Sequence, residues 1–305
     1  MSRETVRNAT PSLAAAAGTI TIGGDLTVNR LGFGSMRLTG PGIWGPPADR
    51  PEAIRVLRRA TELGVNFIDT ANSYGPFVAE ELIAEALHPY PAGLVIATKG
   101  GFERSGPGQW HPRGDPAYLR RELEGSLQRL RLERIDLYQL HRVDPQVPEE
   151  EQFHVLAEFQ RAGLVRHVGL SEVDAETIHR ARRVLPIVSV QNRYNLEDRR
   201  WEGVLDYGER EKLVFMPWAP LSAGSIGEEE ALMRIARRRG ATPLQVALAW
   251  LLARSPLMLP IPGTSSVAHL EENMAAASLR LTSEELDELA QAAAGGLPPE
   301  EELSG

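Results

Sequence analysis

The feature that most constrains this chain is a recurrence, in which short apolar runs alternate with stretches of helical period along its length. The runs are Arg30–Gly34, Val65–Asp69, Leu94–Thr98, Ile135–Leu140, Arg166–Leu170, Ile187–Val190, Leu213–Pro217 and Leu257–Ile261. Between them lie amphipathic segments such as Pro51–Leu63, where Ala53, Val56, Leu57, Ala60 and Leu63 share one face, and Pro116–Leu130. Further helical patterns cover Glu149–Ala162, Ala175–Val184, Arg199–Arg210, Glu228–Arg239 and Pro243–Leu252. Gly64, Gly163 and Gly240 stand where helix ends favour a left-handed residue. Strands that alternate with helices predict parallel pairing through crossovers. Eight such strands in 305 residues predict an α/β fold of the (β/α)8 TIM-barrel kind.

The competing architecture is a doubly wound open sheet, which would want a G-x-G-x-x-G turn after its first strand. Here that strand runs into Gly32-Phe33-Gly34-Ser35-Met36-Arg37, without the third glycine, and no phosphate loop of the G-x-x-x-x-G-K-[ST] type occurs. The barrel is therefore the expected fold. Ahead of it, Thr19–Ile22, Gly23-Gly24-Asp25 and Leu26–Val28 read as a β-hairpin placed to close the barrel bottom. Val267–Ala276 and Ser283–Ala294 read as extra C-terminal helices. Residues 1–17 are expected to form a flexible N-terminal tail and residues 18–305 a single barrel domain.

Composition narrows the partners. The 33 basic residues against 41 acidic ones give a net charge of −8, the wrong sign for a nucleic-acid binder. The longest proline-free apolar run, Val246–Ala253, falls far short of the roughly 20 residues that span a bilayer. Residues 1–17 hold no apolar run beyond Leu13–Ala17, so no signal peptide and a cytoplasmic location are expected. The absence of cysteine removes disulfides, thiolate metal ligands and cysteine nucleophiles, and no other metal spacing is present. The runs Arg237–Arg239 and Glu300–Glu302 read as solvated surface.

Barrel chemistry collects at the C-terminal ends of strands. Those ends carry Asp69 and Tyr74, Lys99, His141, Ser171 and Glu172, Gln191, Trp218, and Pro262-Gly263-Thr264. Arginine is the habitual cation of the chain, whose only two lysines are Lys99 and Lys212. Lys212 lies in Glu209-Arg210-Glu211-Lys212 and reads as surface. Lys99 follows a buried-type strand, and a lysine is a compact charge whose pKa can be moved. A tyrosine titrates near ~10 when free, and a neighbouring ammonium is expected to draw it toward the working range. A carboxylate would hold that ammonium, and a histidine could orient a substrate oxygen. Taken singly, Asp69 explains itself as a loop cap, Tyr74 as a half-buried aromatic and His141 as a structural histidine. Jointly, four such residues at neighbouring strand ends have few structural explanations.

Seven ordered segments across about residues 18–290 are similar to the aldo-keto reductase superfamily. Asp-Thr-Ala-Asn-Ser-Tyr-Gly at 69–75, Ala-Thr-Lys-Gly at 97–100 and Leu-Tyr-Gln-Leu-His at 137–141 resemble its catalytic motifs. Val168–Glu172, Gln191–Asn195, Pro217–Leu221, and Ile261–Ser265 continued by Leu270–Asn273 resemble its cofactor motifs. The resemblance implies NAD(P)-dependent carbonyl reduction, with Tyr74 as general acid, Lys99 tuning it, Asp69 pairing with Lys99 and His141 orienting the carbonyl. It places Gly34, Ser35, Met36 and Asp69 along the cofactor, Ser171, Glu172 and Gln191 on the carboxamide, and Trp218 on the nicotinamide face. Ala219, Pro220, Leu221, Ser222 and Gly224 would approach the pyrophosphate, and Glu272 and Asn273 the adenine.

This sequence departs from the family pattern at three places. Glu172 stands where many relatives carry asparagine. Gly263 and His269 stand where lysine and arginine often meet a 2′-phosphate, leaving Ile261, Thr264, Ser265, Ser266 and a helix N-terminus to line that end. NADP is the expected cofactor, with NAD as the alternative. The loop Leu221–Gly227 is short, which implies a less enclosed cofactor. For the substrate, Trp44 and Trp110 lie on loops after the first and third strands and could wall a pocket for flat aldehydes, beside Tyr74 and His141. Gly34–Pro47 resembles bacterial pyridoxal-reductase-like members. A second reading is a nicotinamide-binding redox sensor with slow turnover, as some relatives such as potassium-channel β subunits are.

Overall fold

The computed structural model of the protein describes residues 13–295. Its first strands, β1 (Thr19–Ile22) and β2 (Leu26–Asn29), pair antiparallel around Gly23 and Gly24, both at positive φ. Next come β3 (Phe33–Gly34), β4 (Phe67–Asp69), β5 (Val95–Gly100), a hairpin of β6 (Phe102–Gly106) and β7 (Gln109–Pro112), and β8 (Ile135–Leu140). The strands end with β9 (Val165–Ser171), β10 (Ile187–Gln191) and β11 (Val214–Phe215). The helices are α1 (Arg50–Glu62), α2 (Val78–Leu87), α3 (Pro116–Leu130), α4 (Glu149–Arg161) and α5 (Ala175–Arg182). They continue with α6 (Glu202–Glu211), α7 (Glu230–Arg239), α8 (Pro243–Arg254), α9 (Val267–Ala275) and α10 (Ser283–Gly295).

Strands β3, β4, β5, β8, β9, β10 and β11 lie side by side in that order, every neighbour parallel. The eighth apolar run does not form a regular strand, yet it closes the barrel. Phe215 N–H donates to Leu257 O and Leu259 N–H to Phe215 O, both at 2.9 Å. On its other side Gly32 N–H donates to Pro260 O at 2.9 Å and Gly34 N–H to Pro262 O at 3.3 Å. Pro260 and Pro262 have no N–H to return, so this stave bonds toward β3 through carbonyls alone. The (β/α)8 barrel is thus present with one irregular stave.

Strand alternation decides what the barrel interior holds. Phe67, Val95, Ala97, Leu137, Val214, Met216, Leu259 and Ile261 pack inward against Ile20, Ile22, Leu26 and Val28 of the first hairpin, which covers the bottom as expected. Two residues beyond Phe67 on the same face comes Asp69, and two beyond Ala97 comes Lys99. Register sets Lys99 opposite Gln139 and Gln139 opposite Gly169. A Cβ at Gly169 would sit 2.2 Å from Ser189 Oγ and 3.2 Å from Gln139 Cγ, so glycine there makes room for the polar layer.

Helix starts follow their caps: Asp49, Asp115, Asp174 and Thr242 each accept an N–H of the first turn. Proline follows in the first turn of α1, α3 and α8, where no N–H is missed. Gly64, Gly163 and Gly240 take positive φ as the pattern required. Lys212 is exposed, and Arg238 and Arg239 pair with Glu288 and Glu285. Three findings differ from the sequence reading. The hairpin of β6 and β7 and helix α2 were not anticipated. Residues Leu13–Ala17 form a 3-10 turn with Ala14 and Ala17 buried, held by Ala14 N–H to Leu63 O at 3.0 Å and by the Arg280 guanidinium on Ala16 O. Ala14 and Ala17 are thus packed, while the remainder of the expected tail, 1–12, and residues 296–305 lie outside the described residues. No helix among the described residues is long and apolar enough to cross a membrane.

Candidate active site

A cleft of about 850 Å³ opens at the C-terminal end of the barrel. That volume lies in the range of small-molecule and cofactor sites, roughly 300–1,000 Å³. At its inner end Lys99 Nζ donates to Asp69 Oδ2 at 2.6 Å, to Thr70 O at 2.9 Å and to Tyr74 Oη at 3.2 Å. Gln191 Nε2 and Gln139 Nε2 donate to the other carboxylate oxygen of Asp69, at 2.9 and 3.2 Å. All of these residues are buried.

Burial and charge act on this cluster in opposite senses. Burial pulls the Lys99 ammonium down, but the charges and hydrogen bonds of Asp69 and Tyr74 outweigh it, so its pKa is raised. For Tyr74 burial is the largest influence and raises the phenol pKa, Lys99 opposing it and Asp69 adding to it. The expected fall of the Tyr74 pKa toward neutrality is thus reversed, and the phenol keeps its proton beside the Lys99 ammonium. His141 is held well below its ordinary value by burial, with Lys99, Arg142 and Arg104 adding to the effect, so its ring is neutral. Its Nδ1 lies 3.3 Å from Ser73 Oγ. With that hydroxyl donating to Nδ1, the proton sits on Nε2 and the ring can donate from there.

Around Tyr74 the walls are aromatic. Trp110 and His141 meet its ring edge-on at 6.4 and 5.8 Å between centroids, and Phe102 lies 4.7 Å from His141. Arg104 fastens this wall. Its guanidinium lies 3.5 Å from the Trp110 ring centre and donates to Gln109 O, Ile43 O, Ser73 O, Gly42 O and Gly106 O.

The cleft then runs past Ser171, Gln191, Trp218, Ala219, Pro220, Leu221, Ser222 and Gly224 to Ile261, Gly263, Thr264, Ser265, His269, Glu272 and Asn273. Asn195 Nδ2 holds the segment after β11 through Ala219 O and Ser222 Oγ, at 3.0 and 2.9 Å. Gly34 and Met36 also line the cleft. Four expected residues do not, Ser266 among them. Ser35 is fully buried with its hydroxyl unpartnered. Glu172 accepts from Arg193 N–H at 2.5 Å and Trp218 Nε1 at 2.6 Å, so it fixes the tryptophan instead of facing the cleft. Trp44 pairs with Gly75 through the backbone and packs near Arg104, while the neighbouring Ile43 enters the cleft.

The far end also departs from expectation. Ser266 N–H donates to Thr264 Oγ1 at 3.2 Å and Val267 N–H to Glu52 Oε1 at 3.0 Å, so the first amides of α9 are engaged. A Cβ at Gly263 would lie 2.5 Å from Gly34 O, which excludes any side chain there. Arg37 fills the space instead, its Cγ 3.6 Å from that Cβ position, exposed and without an ion pair among the described residues. Arg37, Ile43, Phe102, Arg142, Arg193 and Leu244 line the cleft without having been singled out from the sequence. For Arg37 and Arg142 the signal was position alone, one directly after Met36 and the other directly after His141.

A closed parallel barrel with a buried aspartate–lysine–tyrosine chain at its mouth and a long cleft beside it defines a class of barrel proteins. The sequence profile of the Aldo/keto reductase family matches residues 30–294, and the chain belongs to that family. Over 272 residues it is 51% identical to an uncharacterized oxidoreductase of Schizosaccharomyces pombe, covering 89% of this chain and 88% of that one. It is 46% identical over 272 residues to a pyridoxine 4-dehydrogenase of Escherichia coli, covering 87% and 95% of the two chains. An aldo-keto reductase from Klebsiella pneumoniae, solved in complex with NADPH, superposes with a TM-score of 0.78 at 28% identity, over 92% of this chain and 96% of that one.

Proposed function

We propose that this protein reduces aldehydes or ketones to alcohols with NADP(H), using Tyr74 as the proton donor. The observation that carries the reading is the buried chain from Asp69 through Lys99 to the Tyr74 hydroxyl, open to the cleft beside a neutral His141. The NADPH-bound relative and the family match support the choice of cofactor. When bound, the nicotinamide supplies the hydride that adds to the carbonyl carbon.

The rest of the work falls to the chain. Trp218, fixed by Glu172, offers an aromatic face for the nicotinamide ring, and Ser171 with the free Oε1 of Gln191 would take its carboxamide. Arg37, Thr264, Ser265 and His269 would receive the 2′-phosphate, with Arg37 supplying the cation that Gly263 cannot. His141 donates from Nε2 to the substrate oxygen and aims it at Tyr74. Tyr74 gives its phenolic proton to that oxygen, and Lys99, kept charged by Asp69, stabilises the phenolate left behind. In the oxidation direction the phenolate is the base. The walls of Phe102, Trp110 and Ile43 suit a flat substrate, and the pyridoxine 4-dehydrogenase relative supports a pyridine aldehyde among those to try.

The test is a tryptophan-fluorescence titration with NADPH and with NADH, followed by an aldehyde panel that includes pyridoxal. Tighter binding of NADPH, with its oxidation dependent on aldehyde, is expected. Tight binding without turnover would replace the reductase with a redox sensor, and no binding of either nucleotide would refute the cofactor assignment.

A further inference from the structure

We propose that Arg142 is an anion-recognising residue at the reaction end, which selects carbonyl compounds carrying a carboxylate or phenolate oxygen close to the carbonyl. This rests on the function proposed above. Arg142 directly follows His141 beyond the end of β8, and both line the same cleft. Its Nη1 donates to His141 O at 2.7 Å and to Ser171 Oγ at 3.2 Å, and its guanidinium lies 5.3 Å from the Phe102 ring centre. These contacts fix the fork. Its Nε and Nη2 have no partner, and it forms no ion pair, among the described residues.

The other charges at this end are all engaged. Lys99 holds Asp69, Arg193 pairs with Asp198 at 3.2 Å, and Arg104 is bound to backbone carbonyls. Asp69 is taken by Lys99, Gln139 and Gln191, and Glu172 by Trp218 Nε1 and Arg193 N–H. Arg142 is therefore a partly buried guanidinium that forms no ion pair among the described residues. Burial is the largest influence on it and works against its charge, and the carboxylate of Glu172, held by neutral donors, offsets this only through space. Arginine does not lose its proton to relieve that cost. An anion arriving in the cleft would relieve it and would gain a charge-assisted, bidentate contact.

Position decides which anion. The residues assigned to the nucleotide phosphates lie beyond Trp218, whereas Arg142 lies beside His141, which would hold the substrate carbonyl. An oxygen anion that reaches both must sit within a few bonds of that carbonyl. The 2-oxo acids and ortho-hydroxy aryl aldehydes in their ionised form meet this requirement, and the flat walls favour the aryl compounds.

The experiment compares the full-length protein with Arg142→Gln and Arg142→Lys, at a pH where the phenol of salicylaldehyde is ionised. The kcat/KM ratio of salicylaldehyde to its methyl ether is measured with NADPH, and salicylate is titrated into each protein by tryptophan fluorescence. The ratio should fall roughly ten- to a hundredfold in Arg142→Gln, with salicylate weakened by a similar factor, and Arg142→Lys should recover part of both. An unchanged ratio with unchanged salicylate binding would overturn the proposal. A loss of NADPH affinity at constant ratio would also overturn it, by assigning Arg142 to the nucleotide. If no carbonyl compound is reduced, the proposed function fails, and the salicylate titration alone decides whether Arg142 takes an anion.

Discussion

At the inner end of the cleft Lys99 is fully buried and bonded to Asp69, Thr70 and Tyr74, whereas at the outer end Arg37 is exposed and without an ion pair among the described residues. The inner end is built from strand register. Asp69, Lys99 and Gln139 occupy inward positions on adjacent strands, so none can shift without moving a barrel stave. The outer end is built from turns and a proline-bearing stave, where close backbone approach at Gly34 and Gly263 sets the shape. The contrast separates a rigid inner lattice from outer side chains that can change without disturbing it; under the proposed function, chemistry belongs to the first and nucleotide preference to the second.

The sharpest way to break that separation is Lys99→Met. It should lower kcat/KM by roughly 10²–10⁴-fold while leaving NADPH affinity in place, read by steady-state kinetics and fluorescence titration. It also leaves the Asp69 carboxylate buried without its counter-charge, which costs about 3–5 kcal/mol for such pairs, so a thermal melt should show a clear fall in Tm. The pH profile is the next test. The proton on Tyr74 is held above the ordinary phenol range and His141 is neutral well below its own. Carbonyl reduction should therefore run level across neutral pH, and an inflection near the ordinary histidine value, ~6.5, would contradict the account.

Smaller effects should map the walls. Arg104→Ala releases the hairpin of β6 and β7 from Ser73 and Ile43 and should raise KM for aryl aldehydes about tenfold, with nucleotide affinity unaltered. Arg37→Ala should weaken NADPH roughly three- to tenfold and NADH by less than about twofold, because only the 2′-phosphate would lose its cation. A loss of turnover in Arg37→Ala at saturating NADPH would show that the two ends are coupled after all.

What could be read from the sequence divides along the same line. The ranges of β8 and α3 match their patterns to the residue, because each has its own period and clear borders in Arg134-Ile135 and Asp115-Pro116. The four inner-end residues were legible because they sit at strand ends and because lysine is scarce in this chain. The direction of the Tyr74 shift was not, since burial depends on packing that no local pattern reports. The hairpin of β6 and β7 was hidden by Pro107-Gly108 and its polar residues, which read as loop. Arg37 and Arg142 were hidden by the abundance of arginine. Trp44 was read as a wall because it is large and close in sequence, but the turn at Pro41–Ile43 sends Ile43 into the cleft in its place.

The central claim is that Tyr74 donates the proton while another part of the cleft holds the nucleotide. It is tested most directly by mixing NADPH-saturated Tyr74→Phe with aldehyde in a stopped-flow instrument and comparing the single-turnover rate with that of the unaltered protein. The account predicts an unchanged Kd for NADPH and a rate lower by roughly 10²–10⁴-fold. A rate close to that of the unaltered protein, with NADPH still bound, would contradict it.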